Sequence, residues 1–328
     1  MRDWVYGAIA LLFIACCPPA LAAGTGVADI VPPVPGPVFQ EGGEAAGIPE
    51  NPILLAHVFG KDNRVAVKTS GGDGYSAIGI LSTGRLRGTA FLVGPSLILT
   101  NHHVAFGGRR TRASNQVQSV FYIGNTGRRR HAFAANAVAT PVVWGDCERN
   151  RDHVDAVHDW ALLQLDRTLG NIYGYLKLSP LSFEKLSMDL SHSGRWRPGE
   201  MKTAATAGFP GDRRVDRLWG DLGCHFKDAH EGPEGGWGVD CDVFYGQSGS
   251  PVFYRDGQNR IRVVALCTGM TFSKDAKVIY SKKLQEYGNG YSNLVTPVDG
   301  FHGRISRLIS QDKHYNRGDG VARARAVK

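Results

Sequence analysis

Residues 246–251 read Gly246-Gln247-Ser248-Gly249-Ser250-Pro251, a serine framed by glycines and followed by a second serine and a proline. Two segments far upstream supply what such a serine needs to become reactive. Residues 88–104, GTAFLVGPSLILTNHHV, end in the pair His102-His103 and Val104, and residues 158–166, HDWALLQLD, carry Asp159. A serine hydroxyl is a weak nucleophile until a neighbouring imidazole takes its proton, and that imidazole needs a carboxylate to fix its tautomer. The chain order is His, then Asp, then Ser. Two unrelated folds that use the same three residue types run Asp, His, Ser and Ser, acid, His, so the order itself discriminates.

These segments resemble the bacterial glutamyl-endopeptidase-like branch of the trypsin-like serine proteases. Gly88-Thr89-Ala90-Phe91-Leu92-Val93 matches the family's G-T-x-F-L-V strand, and Thr100-Asn101-His102-His103-Val104 matches its T-N-x-H-V. Asp159-Trp160-Ala161-Leu162-Leu163 matches D-x-A-L-L, and Gly246 to Pro251 matches G-x-S-G-S-P. Asp62-Asn63-Arg64 and Gly208-Phe209-Pro210-Gly211-Asp212 are weaker echoes. The resemblance implies an all-β chymotrypsin-type fold of two packed six-stranded antiparallel barrels with a C-terminal helix. It implies Ser248 as nucleophile, His103 as general base and Asp159 as the orienting acid, with the N–H groups of Gly246 and Ser248 as oxyanion hole. His102 fills the variable place beside the base.

Three positions bear on departures from relatives. Digestive relatives carry an aspartate immediately before the nucleophile that pairs with a new N-terminus; here that place is Gln247, which is neutral. Glutamate-cleaving members place a histidine where this chain has Cys267, and a thiol offers a substrate carboxylate no positive charge. Asp242 stands six residues before Ser248, where trypsin-like enzymes keep the aspartate at the base of the pocket: facing the pocket it would favour cleavage after Lys or Arg, and otherwise it caps a turn beside Cys241 and points to solvent.

The remaining chain agrees with an all-β reading. Short apolar runs bounded by turn residues occur at Ala77–Leu81, Thr89–Val93, Ser96–Leu99, Val120–Ile123, Trp160–Leu165, Pro251–Tyr254 and Ile261–Leu266. The family fold places a first barrel over about Asn63–Leu169 and a second over about Arg197–Val298. Phe301, Ile305, Leu308 and Ile309 fall at helical spacing, predicting a closing helix over Asp299–Ile309. The protease domain is expected over residues 58–310 and a basic tail over 311–328.

Before that domain, residues 1–22 have the pattern of a secretory signal: Arg2, an apolar run from Val5 to Cys17, then Ala20-Leu21-Ala22. Cys16 and Cys17 leave lipid anchoring open. Residues 23–57 are rich in proline and glycine and read as a linker or propeptide. A secreted or periplasmic location makes disulfides favourable. Cys224 and Cys241 flank the loop approaching the nucleophile and are the favoured pair, whereas Cys147 and Cys267 either pair together or remain thiols.

The net charge of +8 gathers partly in Arg109-Arg110, in Arg128-Arg129-Arg130, and in a tail with Arg323, Arg325 and Lys328. No nucleic-acid motif accompanies these arginines, so weak contact with polyanions is the most they suggest. Asp146, Asp152, His153, Asp155 and His158 fit no standard zinc or calcium spacing, and no metal or cofactor is expected. Polypeptides are the expected substrates. The alternatives are a non-catalytic binding protein on a protease scaffold, or an esterase using Ser248 with Asp275 and His302. An esterase elbow calls for glycine two residues after the serine, where Ser250 stands.

Overall fold

The computed structural model describes residue 58 and residues 61–315, less segments 70–72, 85, 108–118, 129–131, 148, 151–152, 191–201, 230–235 and 273–290. The signal-like segment, the proline-rich linker, most of the arginine clusters and Asp275 lie outside the described residues. Strand β1 (Val65–Val67) leads into β2 (Ile78–Ser82), β3 (Arg87–Leu92), β4 (Leu97–Thr100), the one-turn helix α1 (His102–Ala105), β5 (Ser119–Asn125) and β6 (Phe133–Trp144). A two-stranded hairpin follows, β7 (Arg149–Asn150) with β8 (His153–Val154), and then β9 (Ala161–Leu165). Strands β2-β3-β4-β9-β6-β5 form a closed antiparallel barrel. Its lining is what the apolar runs predict, with Phe91, Phe121, Leu81, Ile98 and Leu99 fully buried.

The connection carries α2 (Gly170–Tyr173), β10 (Lys177–Leu178) and α3 (Phe183–Leu190) into β11 (Lys202–Gly208), β12 (Leu218–Ala229), β13 (Trp237–Val239), β14 (Pro251–Arg255), β15 (Ile261–Phe272) and β16 (Tyr291–Pro297). Here the order is β12-β11-β14-β15-β16-β13, and pairing of β12 with β13 closes the ring into a second six-stranded barrel. Closure removes the exposed edges that an open sheet would present. Its core is Phe226, Trp237, Val239, Val252, Val264 and Val295 with the disulfide between Cys224 and Cys241. That bridge closes a loop of 17 residues, a constraint that contributes about 3 kcal/mol through the unfolded chain. Neither Cys147 nor Cys267 is in a disulfide.

The two six-stranded barrels agree with the sequence expectation, but two boundaries move. The first barrel does not begin near Asn63: β1 pairs with β12, Val65 opposite Gly220, and so belongs to the second barrel's sheet. The closing helix α4 (His302–Tyr315) extends beyond Ile309 into the segment read as tail. Apolar spacing could not show this, because the anchor is polar. Asp312 accepts hydrogen bonds from the backbone N–H and the hydroxyl of Ser96, which ties the last turns to the first barrel. The helix start is held by Phe301, whose ring stacks on Trp160 at 4.7 Å. Among the described residues no helix is long and apolar enough to cross a membrane.

Candidate active site

Antiparallel pairing of β4 with β9 sets Thr100 opposite Ala161. The chain runs on from Thr100 into His102-His103 and arrives at Ala161 from Asp159-Trp160, so the histidines and the aspartate meet at one end of the barrel. Asp159 is 0% exposed and His103 8% exposed. The carboxylate accepts the backbone N–H of His103 at 2.9 Å and faces its Nδ1 at 2.7 Å. The first bond satisfies a donor in the opening turn of α1 that the helix itself leaves unpaired. The second fixes the ring, since Nδ1–H donating to Asp159 leaves Nε2 as the proton-accepting nitrogen.

Ser248 arrives from the other barrel, in the turn between β13 and β14. Its carbonyl accepts the N–H of Thr89 at 2.8 Å, and the N–H of Gly249 is held by Cys267 O at 2.8 Å. Gly249 adopts φ +83°, and a Cβ there would lie 3.2 Å from the backbone nitrogen of Asn101. The serine turn is therefore packed onto the strand ends that lead into His103. Just before it, Gly246 has φ +91°, and a Cβ would sit 2.5 Å from Phe209 O; only glycine relieves both strain and overlap. Gln247 N–H bonds Phe244 O at 3.0 Å, while among the described residues the N–H groups of Gly246 and Ser248 donate to no protein acceptor. Two N–H groups left unclaimed on either side of a claimed one are suited to receive an oxyanion.

Sequence reasoning assigned no role to two polar residues that hold this arrangement. Thr89 donates its hydroxyl to Gly246 O at 2.8 Å and accepts the N–H of Phe209 at 3.1 Å. Asn101, fully buried, donates Nδ2 to Asp159 O at 2.7 Å and to Thr268 Oγ1 at 3.1 Å. Thr268 and Thr296 hydroxyls then meet at 2.6 Å, and Thr296 bonds Ala156 O at 2.6 Å. The Asp159 segment is thus held from both barrels. Thr89 and Asn101 stand inside the segment of residues 88–104, but only the three-dimensional pairing shows what they bond.

Gln247, in the place of the expected acid, turns its Oε1 to the N–H of Phe244 at 2.9 Å and closes its own turn. Asp242 is 1% exposed. It accepts the N–H of Asn63 at 2.7 Å while its own N–H bonds Asp221 at 3.0 Å. Cys267 is buried, and burial pushes its thiol up to about 12, so it is protonated at neutral pH. Asp155 and His158 of the acidic loop pair with each other at 2.7 Å, whereas Asp152 lies outside the described residues. A different trio, His102, Cys147 and Asp159, places one ligand atom from each residue within 4.8 Å of the others. His302, which an esterase would need beside Ser248, instead opens α4, its N–H bonded to Val298 O at 2.8 Å.

Residues 88–266 match the family described as trypsin-like peptidase domain. Among solved structures, a Glu endopeptidase in complex with MPD is similar with a TM-score of 0.51 at 19% identity, over 78% of this chain and 100% of that one. An inactive form of the Rv3671c protease is similar with a TM-score of 0.42 at 15% identity, over 72% of this chain and 90% of that one. No curated protein matches the chain. The likeness to the Glu endopeptidase shows the chymotrypsin-type fold.

Proposed function

The chain belongs to the trypsin-like peptidase domain family, and from that premise we propose that it is an exported serine endopeptidase using Ser248, His103 and Asp159. The observation that carries the reading is the Asp159–His103 pair at 2.7 Å, set on strand ends against which the Ser248 turn is packed. In this mechanism Ser248 Oγ attacks the scissile carbonyl carbon as His103 Nε2 takes its proton. The N–H groups of Gly246 and Ser248 receive the developing oxyanion. His103 returns the proton to the leaving amine, and water then releases the acyl group by the same steps in reverse. Asp159 holds the imidazole tautomer and stabilises its cation. The Cys224–Cys241 bridge and the signal-like N-terminal segment together support export to an oxidising compartment.

The preference for Lys or Arg rests on Asp242, a buried carboxylate that accepts the N–H of Asn63. Asp242→Asn keeps an acceptor for that N–H and removes the charge. Profiling both proteins on a peptide library separates the two roles. A fall of kcat/KM of about tenfold or more confined to Lys and Arg substrates supports the preference. A uniform change across all substrates assigns Asp242 to holding the N-terminal segment and removes it from specificity.

A further inference from the structure

Cys147 follows β6 into a segment that folds back on the approach to Asp159. Gly145 N–H bonds Trp160 O at 2.9 Å. A Cβ on Gly145 would meet His158 O at 2.1 Å, so the two segments touch backbone to backbone. This contact brings a partly exposed thiol beside a fully buried carboxylate. The third member, His102, is held in place by its ring against Phe106 at 4.6 Å. Imidazole, thiol and carboxylate are the three side-chain types that bind zinc, and none of the three is the nucleophile or the base.

Their spacing suits an ion. Ligands about 2.0–2.3 Å from a tetrahedral centre stand about 3.3–3.8 Å apart. The three ligand atoms lie within 4.8 Å of one another, so closing on a cation needs movement of about 1–1.5 Å at most. Cys147 is the most exposed member of the three: it is half-buried, with its thiol directed to Asp155 O at 3.5 Å. A thiolate favours zinc and its softer congeners over magnesium or calcium. Coordination would release the thiol proton to solvent.

We propose that His102, Cys147 and Asp159 form an inhibitory site for a thiophilic divalent cation of the zinc class, which stops peptide hydrolysis by competing for the carboxylate that orients His103. Asp159 already gives one oxygen to each of two His103 nitrogens. A cation drawing on the same oxygens weakens the bond that holds the imidazole in position. The inhibitory half rests on Asp159 being the acid of the proteolytic triad; the binding half does not.

The test keeps those halves apart. Cobalt(II) titrated into the full-length protein reports a sulfur ligand through a near-ultraviolet charge-transfer band, whether or not the protein cleaves peptides. Wild type and Cys267→Ser should both show the band, and Cys147→Ser and His102→Gln should lose or greatly weaken it. In parallel, micromolar zinc should lower peptide hydrolysis by wild type about tenfold or more, with recovery on adding chelator. Cys147→Ser should keep its metal-free activity and resist zinc. Absence of the band in wild type, or a band unchanged in Cys147→Ser, overturns the site. A band with undiminished hydrolysis, or zinc inhibition equal in Cys147→Ser, overturns the inhibition. Hydrolysis absent without any metal counts against the proteolytic reading, and the cobalt band still decides the site.

Discussion

Gly249 shows how little room surrounds the proposed nucleophile. A Cβ there would fall 2.2 Å from both Thr100 Oγ1 and Thr89 O, at a φ of +83° that disfavours any side chain. Gly249→Ala must therefore shift the serine turn off the strands that carry His103. We expect kcat/KM on a fluorogenic peptide to fall about a hundredfold, since a misplacement near 1 Å has that effect. Circular dichroism should show the barrels intact. The residues of the proposed triad could be picked out from the sequence because serine, histidine and aspartate each stand in a short local motif. Thr89 and Asn101 were not, because each acts by joining segments more than fifty residues apart: Asn101 reaches Asp159 across 58 positions and Thr268 across 167. Cys267 was legible as a position. Its inertness was not, because the pKa near 12 is a product of burial.

Among the elements, α4 contains the sharpest disagreement between sequence and structure. The apolar spacing of Phe301, Ile305 and Ile309 ends where the helix does not, and Asp312 supplies the reason through its bonds to Ser96. Asp312→Ala leaves a buried Ser96 N–H and hydroxyl without that acceptor. It should destabilise the protein by about 1–3 kcal/mol, read as a lower midpoint in denaturant with unchanged slope. A change under half a kcal/mol would return this turn to the tail (roughly the spread of neutral surface substitutions). Strand β6 was missed for a different reason. It is alanine-rich, mostly half-exposed, and interrupted by Pro141, which sits at a register shift against β9. A strand without regular alternation gives pattern reading little to hold. Strands β2, β3 and β9, buried along nearly their whole length, were legible as apolar runs.

At the scale of the whole molecule, the segment before the first barrel acts as a strap on the second. Arg64 forms a two-pronged pair with Asp212 at 3.0 and 2.7 Å and a second with Asp62, which Arg213 also contacts. Two weak sequence echoes, 148 positions apart, thus meet as one ion-pair cluster. Hydrogen bonds from Arg64, supported by Arg213, hold the Asp62 carboxyl well below the usual carboxylate range. A group depressed in the folded state stabilises above its unfolded value of about 3.9, and that contribution disappears as pH falls through and below it. Asp62→Asn should therefore melt earlier than wild type at pH 7, and the difference should shrink as pH drops from about 5 toward 2. A constant difference across that range would mean that the aspartate acts through packing rather than charge.

The proposed mechanism requires the two barrels to bring Ser248 to His103 and Asp159 as an activated nucleophile. Its most direct test is to incubate the folded protein with a fluorophosphonate probe and map the labelled peptide by mass spectrometry, beside Ser248→Ala and His103→Ala. Wild type should be labelled at Ser248, Ser248→Ala not at all, and His103→Ala far more slowly. Folded wild-type protein that takes no label, or label that persists in Ser248→Ala, would contradict it.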